Sequence, residues 1–179
     1  MNKRARVLFL SLIAFTVAGG TLLAQNQPAS APLAAGSVVP NVLLLINGKS
    51  TALKHLLAEN RNLVLFYPGA CKTCDAQLQA VDKGVIQELD RMGYATFAVS
   101  PDLPADQAKT VKRLSLPFVV VSDPDGSAAR AFRVAGSAAF LIEIDGTVRF
   151  SANLDQTPLN GSDLIAAARG LKRPARRKR

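Results

Sequence analysis

The chain of 179 residues owns two cysteines, Cys71 and Cys74, and carries them three positions apart in "FYPGACKTCDAQL" (66–78). Three chemistries suit such a pair: a covalent staple, a metal site, or the exchange of electrons. A disulfide across so short a loop removes little entropy from the unfolded chain, so it is a weak stabiliser. Two thiolates make half of a tetrahedral zinc site, and no third cysteine exists to extend it. The single histidine, His55, lies upstream of both cysteines and reads as a residue on a helix surface rather than a ligand or base. Thiol redox chemistry is what remains, with Cys71 and Cys74 as the reacting groups and with no metal and no cofactor.

The elements around the pair fit that chemistry. "NLVLFY" (62–67) is a continuous apolar run of the kind found in a buried strand. Cys71 falls where this run has ended, and Cys74 falls in the first turn of a following helix. Unpaired N–H groups and the positive end of the helix dipole favour a thiolate there. Lys72 pushes the same way and Asp75 opposes it. Thr73 is within reach of a sulfur through its hydroxyl, while Tyr67 and Pro68 shape the approach to the loop. Residues three apart on a helix are neighbours, so the two sulfurs can join with modest adjustment.

Further out, "VVPNVLLLINGKST" (38–51) reads as short strands about an Asn47–Gly48 turn, and "ALKHLLAEN" (52–60) as a short helix. Leu78, Val81, Val85, Leu89 and Met92 recur at spacings of three and four, which predicts one amphipathic helix from the cysteines to Gly93. "YATFAVS" (94–100) is a strand, and Pro104 opens a helix with Ala108, Val111 and Leu114 on its inner face. "FVVVS" (118–122) is a third buried strand, ended by a turn in which Asp123 and Asp125 are turn formers. "SAARAFRV" (127–134) supplies a short helix whose Arg130 and Arg133 are surface arginines, with a reach to the cysteines as the alternative. "AFLIEI" and "TVRF" about Asp145–Gly146 form a hairpin, and Ser162 caps a last helix. Strands alternating with helices, then a hairpin and a helix, predict an α/β fold: a central mixed β-sheet with helices on both faces. No glycine-rich phosphate loop is present, so the sequence lends a nucleotide enzyme no support.

The two ends differ from this body. Residues 1–24 read as a signal peptide or a membrane signal anchor: Lys3, Arg4 and Arg6 precede the uncharged, mostly apolar run 7–24. Residues 25–37, rich in Pro, Ala and Ser, form a linker, 38–170 the domain, and 171–179 a basic disordered tail. The formal charge of +9 belongs to these ends, because the stretch 7–168 holds 12 basic and 13 acidic residues. A nucleic-acid partner is therefore not expected. Contact of the N-terminal segment and the basic tail with an anionic membrane surface is the functional alternative to a merely solvated end. The chain is expected to be exported, periplasmic or otherwise extracytoplasmic, soluble or tethered by an uncleaved N-terminal anchor; disulfides persist in such compartments.

"LVLFYPGACKTC", with "VVPNVLLLINGKSTALKHLL" before it and "YATFAVSPD", "LPFVVVSDPDGSAARAFRV" and "AFLIEIDGTVRF" after it, resembles the alkyl hydroperoxide reductase/thiol-specific antioxidant branch of the thioredoxin-like superfamily. The resemblance covers residues 36–155 or so and implies a thioredoxin-like fold. The family's usual motif is Pro-x-x-x-Thr/Ser-x-x-Cys. Pro68 matches its proline, Cys71 stands near the Thr place and Cys74 near the peroxidatic place, in a loop one residue short. A subgroup of peroxiredoxin-like proteins carries Cys-x-x-Cys here, as thioredoxins do. The resemblance implies reduction of a hydroperoxide through a Cys71/Cys74 dithiol–disulfide cycle, with an external thiol as reductant. A thioredoxin-like oxidoreductase acting on a protein disulfide is the alternative, and a redoxin that only binds a partner is a third. Two positions depart from the pattern. The family's arginine just before "AFLIEI" is absent, and Ala138 or Ala139 stands where thioredoxins place a cis-proline.

Overall fold

The computed structural model describes residues 31–69 and 71–170. The N-terminal signal or anchor (1–24) and the basic tail (171–179) lie outside the described residues. Two parallel strands form the centre of the sheet: β3 (Arg61–Phe66) and β4 (Tyr94–Ser100) run side by side in register from Arg61↔Tyr94 to Phe66↔Val99. Their apolar sequences suit burial on both faces. β5 (Val119–Ser122) continues the parallel set beyond β4. The hairpin of β1 (Leu43–Ile46) and β2 (Lys49–Ala52) lies antiparallel against β5. On the other side β6 (Ala138–Ile142) pairs antiparallel with β3, and β7 (Val148–Asn153) with β6. The result is one seven-stranded mixed sheet in the order β2-β1-β5-β4-β3-β6-β7.

Alternation along β3 splits the core in two, because successive side chains leave a strand on opposite faces. Leu63, Leu65 and Tyr67 point to the face covered by α2 (Lys72–Gln79), α3 (Lys83–Arg91), α4 (Pro104–Leu114) and α6 (Gly161–Ala168). Val64 and Phe66 point to the face covered by α1 (Leu53–Leu57) and α5 (Ser127–Ala131). On that second face Phe66, Phe132 and Phe140 form a cluster of rings with centroids 5.0 to 5.8 Å apart, Phe140 meeting the other two nearly edge-on. This cluster ties β3, which leads into the cysteine loop, to β6, which follows the segment facing that loop. The expected mixed sheet with helices on both faces is the architecture found.

Three local expectations are corrected. The predicted single helix after the cysteines is two: α2 ends at Gln79, and α3 restarts at Lys83 with Asp82 as its N-cap, accepting the Val85 N–H at 2.9 Å. The apolar period runs through both pieces because both bury the same face, so it conceals the break, which only the capping aspartate marked. Ala108 is exposed, and α4 instead buries Gln107 and Thr110 between the half-buried Val111 and Leu114. Gln107 can turn inward because its amide donates to the Asp102 carbonyl at 3.0 Å. The last helix is capped by Asn160, whose side chain accepts from both Ser162 N–H and Ser162 Oγ–H. Part of the stretch read as a linker is held to the domain. Leu33 N–H donates to Phe132 O and Gly36 N–H to Val148 O.

Among the described residues no helix is long and apolar enough to cross a membrane. Nor do three His, Cys, Asp or Glu side chains gather there as a metal would require.

Candidate active site

Cys71 and Cys74 are joined by a disulfide, with their Cα atoms 5.1 Å apart. The loop from β3 delivers Cys71 to the start of α2, where it is the N-cap residue with extended backbone. Its sulfur takes the place of the usual serine or aspartate oxygen and accepts the Cys74 N–H at 3.1 Å. That N–H is one of the donors a helix start leaves unpaired, so a negative charge on Cys71 Sγ meets a donor already aimed at it. Thr73 Oγ1 is a second neighbour, 3.3 Å from the same sulfur. The two sulfurs differ sharply in access. Cys71 is half-buried, whereas Cys74 keeps only 3% of its surface and packs into the core with Leu78 and Tyr67.

The loop between strand and helix is held by a close approach. Gly69 has φ +98°, and a Cβ there would lie 2.9 Å from Asp102 Oδ1. Glycine supplies both the left-handed backbone and the room for that carboxylate. Tyr67 is buried beneath the loop, and its hydroxyl has no hydrogen-bond partner of good geometry. Burial pushes the Tyr67 phenol above its usual range. The carboxylates of Asp102 and Asp75 add to this, while the Ser100 hydroxyl and the Arg113 guanidinium oppose it.

Arg113 is the cation that the fold brings to the first turns of α2. It reaches across from α4 and grips Asp75 with both nitrogens, at 2.6 and 3.0 Å. Asp75, the charge expected to work against a thiolate, is thus paired with a fixed fork of donors.

Opposite the disulfide lies Gly136–Ser137, just before β6. Ser137 is 3% exposed, and its hydroxyl oxygen is 3.9 Å from Cys74 Sγ. Its main chain is tied at both ends. Ser137 N–H donates to the two Asp155 carboxylate oxygens at 3.1 and 3.2 Å, and Ser137 O accepts Leu154 N–H at 2.9 Å. Asp155 packs so closely on Gly136 that a Cβ there would overlap its carboxylate.

Of the residues singled out from the sequence, Cys71, Cys74, Thr73 and Tyr67 are brought together. Pro68 is exposed at the start of the loop. Lys72 begins α2, but its side chain lies outside the described ones. Arg130 and Arg133 are exposed on the other side of the sheet, and Arg130 donates to the Asp125 carbonyl. Asp123 does more than form a turn. Buried at 2% exposure, it accepts from the N–H groups of Ala128 and Ala129 at the start of α5. Sequence reasoning missed Arg113, Asp102, Ser137 and Asp155. The departure from the family arginine was the one signal that another cation had to be sought. Ser137 stands beside the alanines noted in place of a proline.

The comparisons with known proteins agree with this fold. The model of the AhpC/TSA family matches residues 35–151. A Haemophilus influenzae protein assigned as peroxiredoxin bcp is 29% identical over 128 residues, which span 70% of this chain and 82% of that protein. The crystal structure of peroxidoxin BcpB from Mycobacterium tuberculosis superposes with a TM-score of 0.66 at 19% identity, covering 79% of this chain and 99% of that one. A Chlorobium tepidum structure assigned as thiol:disulfide interchange protein DsbE superposes at 0.61 and 22% identity, covering 76% and 99%. At such identities the two structures share the fold.

Proposed function

The chain belongs to the AhpC/TSA family, and from that membership we propose that it is a peroxiredoxin-like thiol peroxidase working through a Cys71/Cys74 dithiol–disulfide cycle. The observation that carries this reading is the Cys71–Cys74 disulfide at the N-terminus of α2. The family motif sets Cys74 near the peroxidatic place, but burial of that sulfur makes Cys71 the attacking residue in this reading: it is the more exposed sulfur and the one whose charge is met by the Cys74 N–H. Its thiolate attacks the O–O bond of a hydroperoxide, the bond breaks, and the alcohol leaves after taking up a proton, with Cys71 oxidised to a sulfenic acid. The Cys74 thiolate then attacks the sulfenic sulfur, hydroxide departs as water, and the disulfide forms. Two equivalents of an external thiol return the pair to dithiol and are themselves joined as a disulfide.

The protein-disulfide oxidoreductase reading needs a docking place for an extended peptide beside the cysteines. The main-chain N–H and C=O of Ser137, next to where thioredoxins hold their cis-proline, are taken by Asp155 and Leu154. That favours a small substrate. The domain acts outside the cytoplasm, delivered by the N-terminal segment, and contact of the basic tail with anionic lipid remains a subsidiary part of this proposal.

The test is a single-turnover assay on the reduced protein. One equivalent of hydrogen peroxide or an alkyl hydroperoxide should be consumed per chain, with loss of both thiols. Cys71→Ser should abolish consumption, and Cys74→Ser should stop at a sulfenic acid trappable by dimedone. A wild-type chain that ignores peroxides yet reduces insulin in the presence of dithiothreitol would overturn the peroxidase reading.

A further inference from the structure

We propose that Ser137 is the hydrogen-bond donor to the Cys74 thiolate whenever the disulfide opens, and that Asp155 is the residue that holds it in position. The inference rests on the Cys71–Cys74 pair being redox-active and deepens the proposed cycle at its buried sulfur.

The asymmetry of burial sets the direction of the opening step. An incoming reductant thiolate reaches Cys71 Sγ, because Cys74 is 3% exposed. Its sulfur bonds to Cys71 Sγ, the bond between the two cysteines breaks, and the electron pair of that bond leaves on Cys74 Sγ. With dithiothreitol, the second thiol then attacks the mixed disulfide, closes the oxidised ring and releases Cys71 as a thiolate. The leaving group of the first step is therefore a charge appearing inside the core, among Leu78, Tyr67 and other apolar neighbours. A charge created there without a partner is costly, and a donor aimed at it lowers the barrier to its departure.

Cys71 has such a donor in the Cys74 N–H, but that group serves the other sulfur. The polar side-chain group set beside Cys74 Sγ is the Ser137 hydroxyl, at 3.9 Å in the closed form. A disulfide sulfur is a weak acceptor, so this spacing suits a donor that waits for charge to arrive. The hydroxyl rotates freely to meet it, while the backbone beneath is fixed by Asp155 and Leu154. The same donor serves the oxidising half of the cycle, where Cys74 attacks the Cys71 sulfenic acid as a thiolate.

The test measures disulfide opening with dithiothreitol alone, so it is independent of whether a peroxide is a substrate. Reduction of the oxidised protein is followed at fixed pH by thiol labelling. Ser137→Ala should slow it by about tenfold, the size expected for one hydrogen bond to a charged group. Ser137→Thr, which keeps the hydroxyl, should restore a rate near wild type. Asp155→Ala should give an intermediate loss. The unfolding midpoint of the oxidised Ser137→Ala protein should stay near that of wild type. A Ser137→Ala protein that opens as fast as wild type overturns the inference. So does an equal loss in the threonine variant, since the effect would then follow packing and not the donor.

Discussion

Asp75 and Arg113, thirty-eight positions apart in the chain, are locked in a two-pronged ion pair across the start of α2 and the end of α4. The pair answers a question of charge balance at the cysteines. A carboxylate one residue past Cys74 opposes thiolate formation, and the guanidinium cancels it. The same contact bridges the cysteine helix to an element otherwise packed near β5.

Removing the cation therefore has a defined sign. Arg113→Ala should slow alkylation of reduced Cys71 by iodoacetamide at neutral pH, by about threefold, because a partly exposed charge is well screened. Adding Asp75→Asn in the same chain should restore the rate, since the opposing charge then goes too. A double variant as slow as the single one would mean that the pair acts by packing alone.

Gly69 offers a separate test of loop geometry. Gly69→Ala must place a side chain at φ +98° and against the Asp102 carboxylate, at a cost of about 1–3 kcal/mol for the backbone strain. The oxidised variant should unfold at lower urea, and its reduced form should turn over peroxide more slowly because Cys71 is carried by the same loop. Asp102→Ala in that background relieves the collision but leaves the strained φ, so it should recover the stability only in part. Full recovery would show that the left-handed backbone is unimportant.

The phenols provide a pH signature. The chain has two tyrosines and no tryptophan, and both phenols are raised above their ordinary value. Burial, reinforced by the Glu143 carboxylate that accepts its hydroxyl at 3.1 Å, pushes Tyr94 up to about 12. Neutral phenol is thus favoured by the fold. The stability this contributes is complete below pH 10, where the unfolded chain is also neutral, and is lost as pH climbs from 10 through about 12. The folded protein should show little phenolate absorbance at pH 10, and unfolding in urea at that pH should release it. Tyr94→Phe should flatten the alkaline fall in stability. A folded-state titration with its midpoint at 10 for both groups would contradict the burial described.

Much of this molecule was readable from local order along the chain. Alternation and apolar runs mark β3, β4, β5 and the β6–β7 hairpin, because a strand's own residues record which face is buried. The cysteines at a strand-to-helix junction announce redox chemistry through spacing alone, and the helix start supplies its donors wherever the chain folds. The break at Asp82 was less legible, since a continuous apolar stripe serves one helix or two equally well.

Contacts between distant segments are another matter. Its place at the head of the helix favours Cys71 as the more exposed sulfur, but nothing in the run "ACKTC" says that the other is sealed in the core. That difference arises when Tyr67, Leu78 and the start of β6 close over Cys74. Arg113 and Ser137 come to the cysteine helix from far along the chain because α4 ends and β6 begins beside it. Periodicity reports how a residue faces its own element, and it carries no record of which other element will be opposite. The dithiol and its scaffold follow from local pattern; the access to each sulfur, and the groups set beside it, follow from packing.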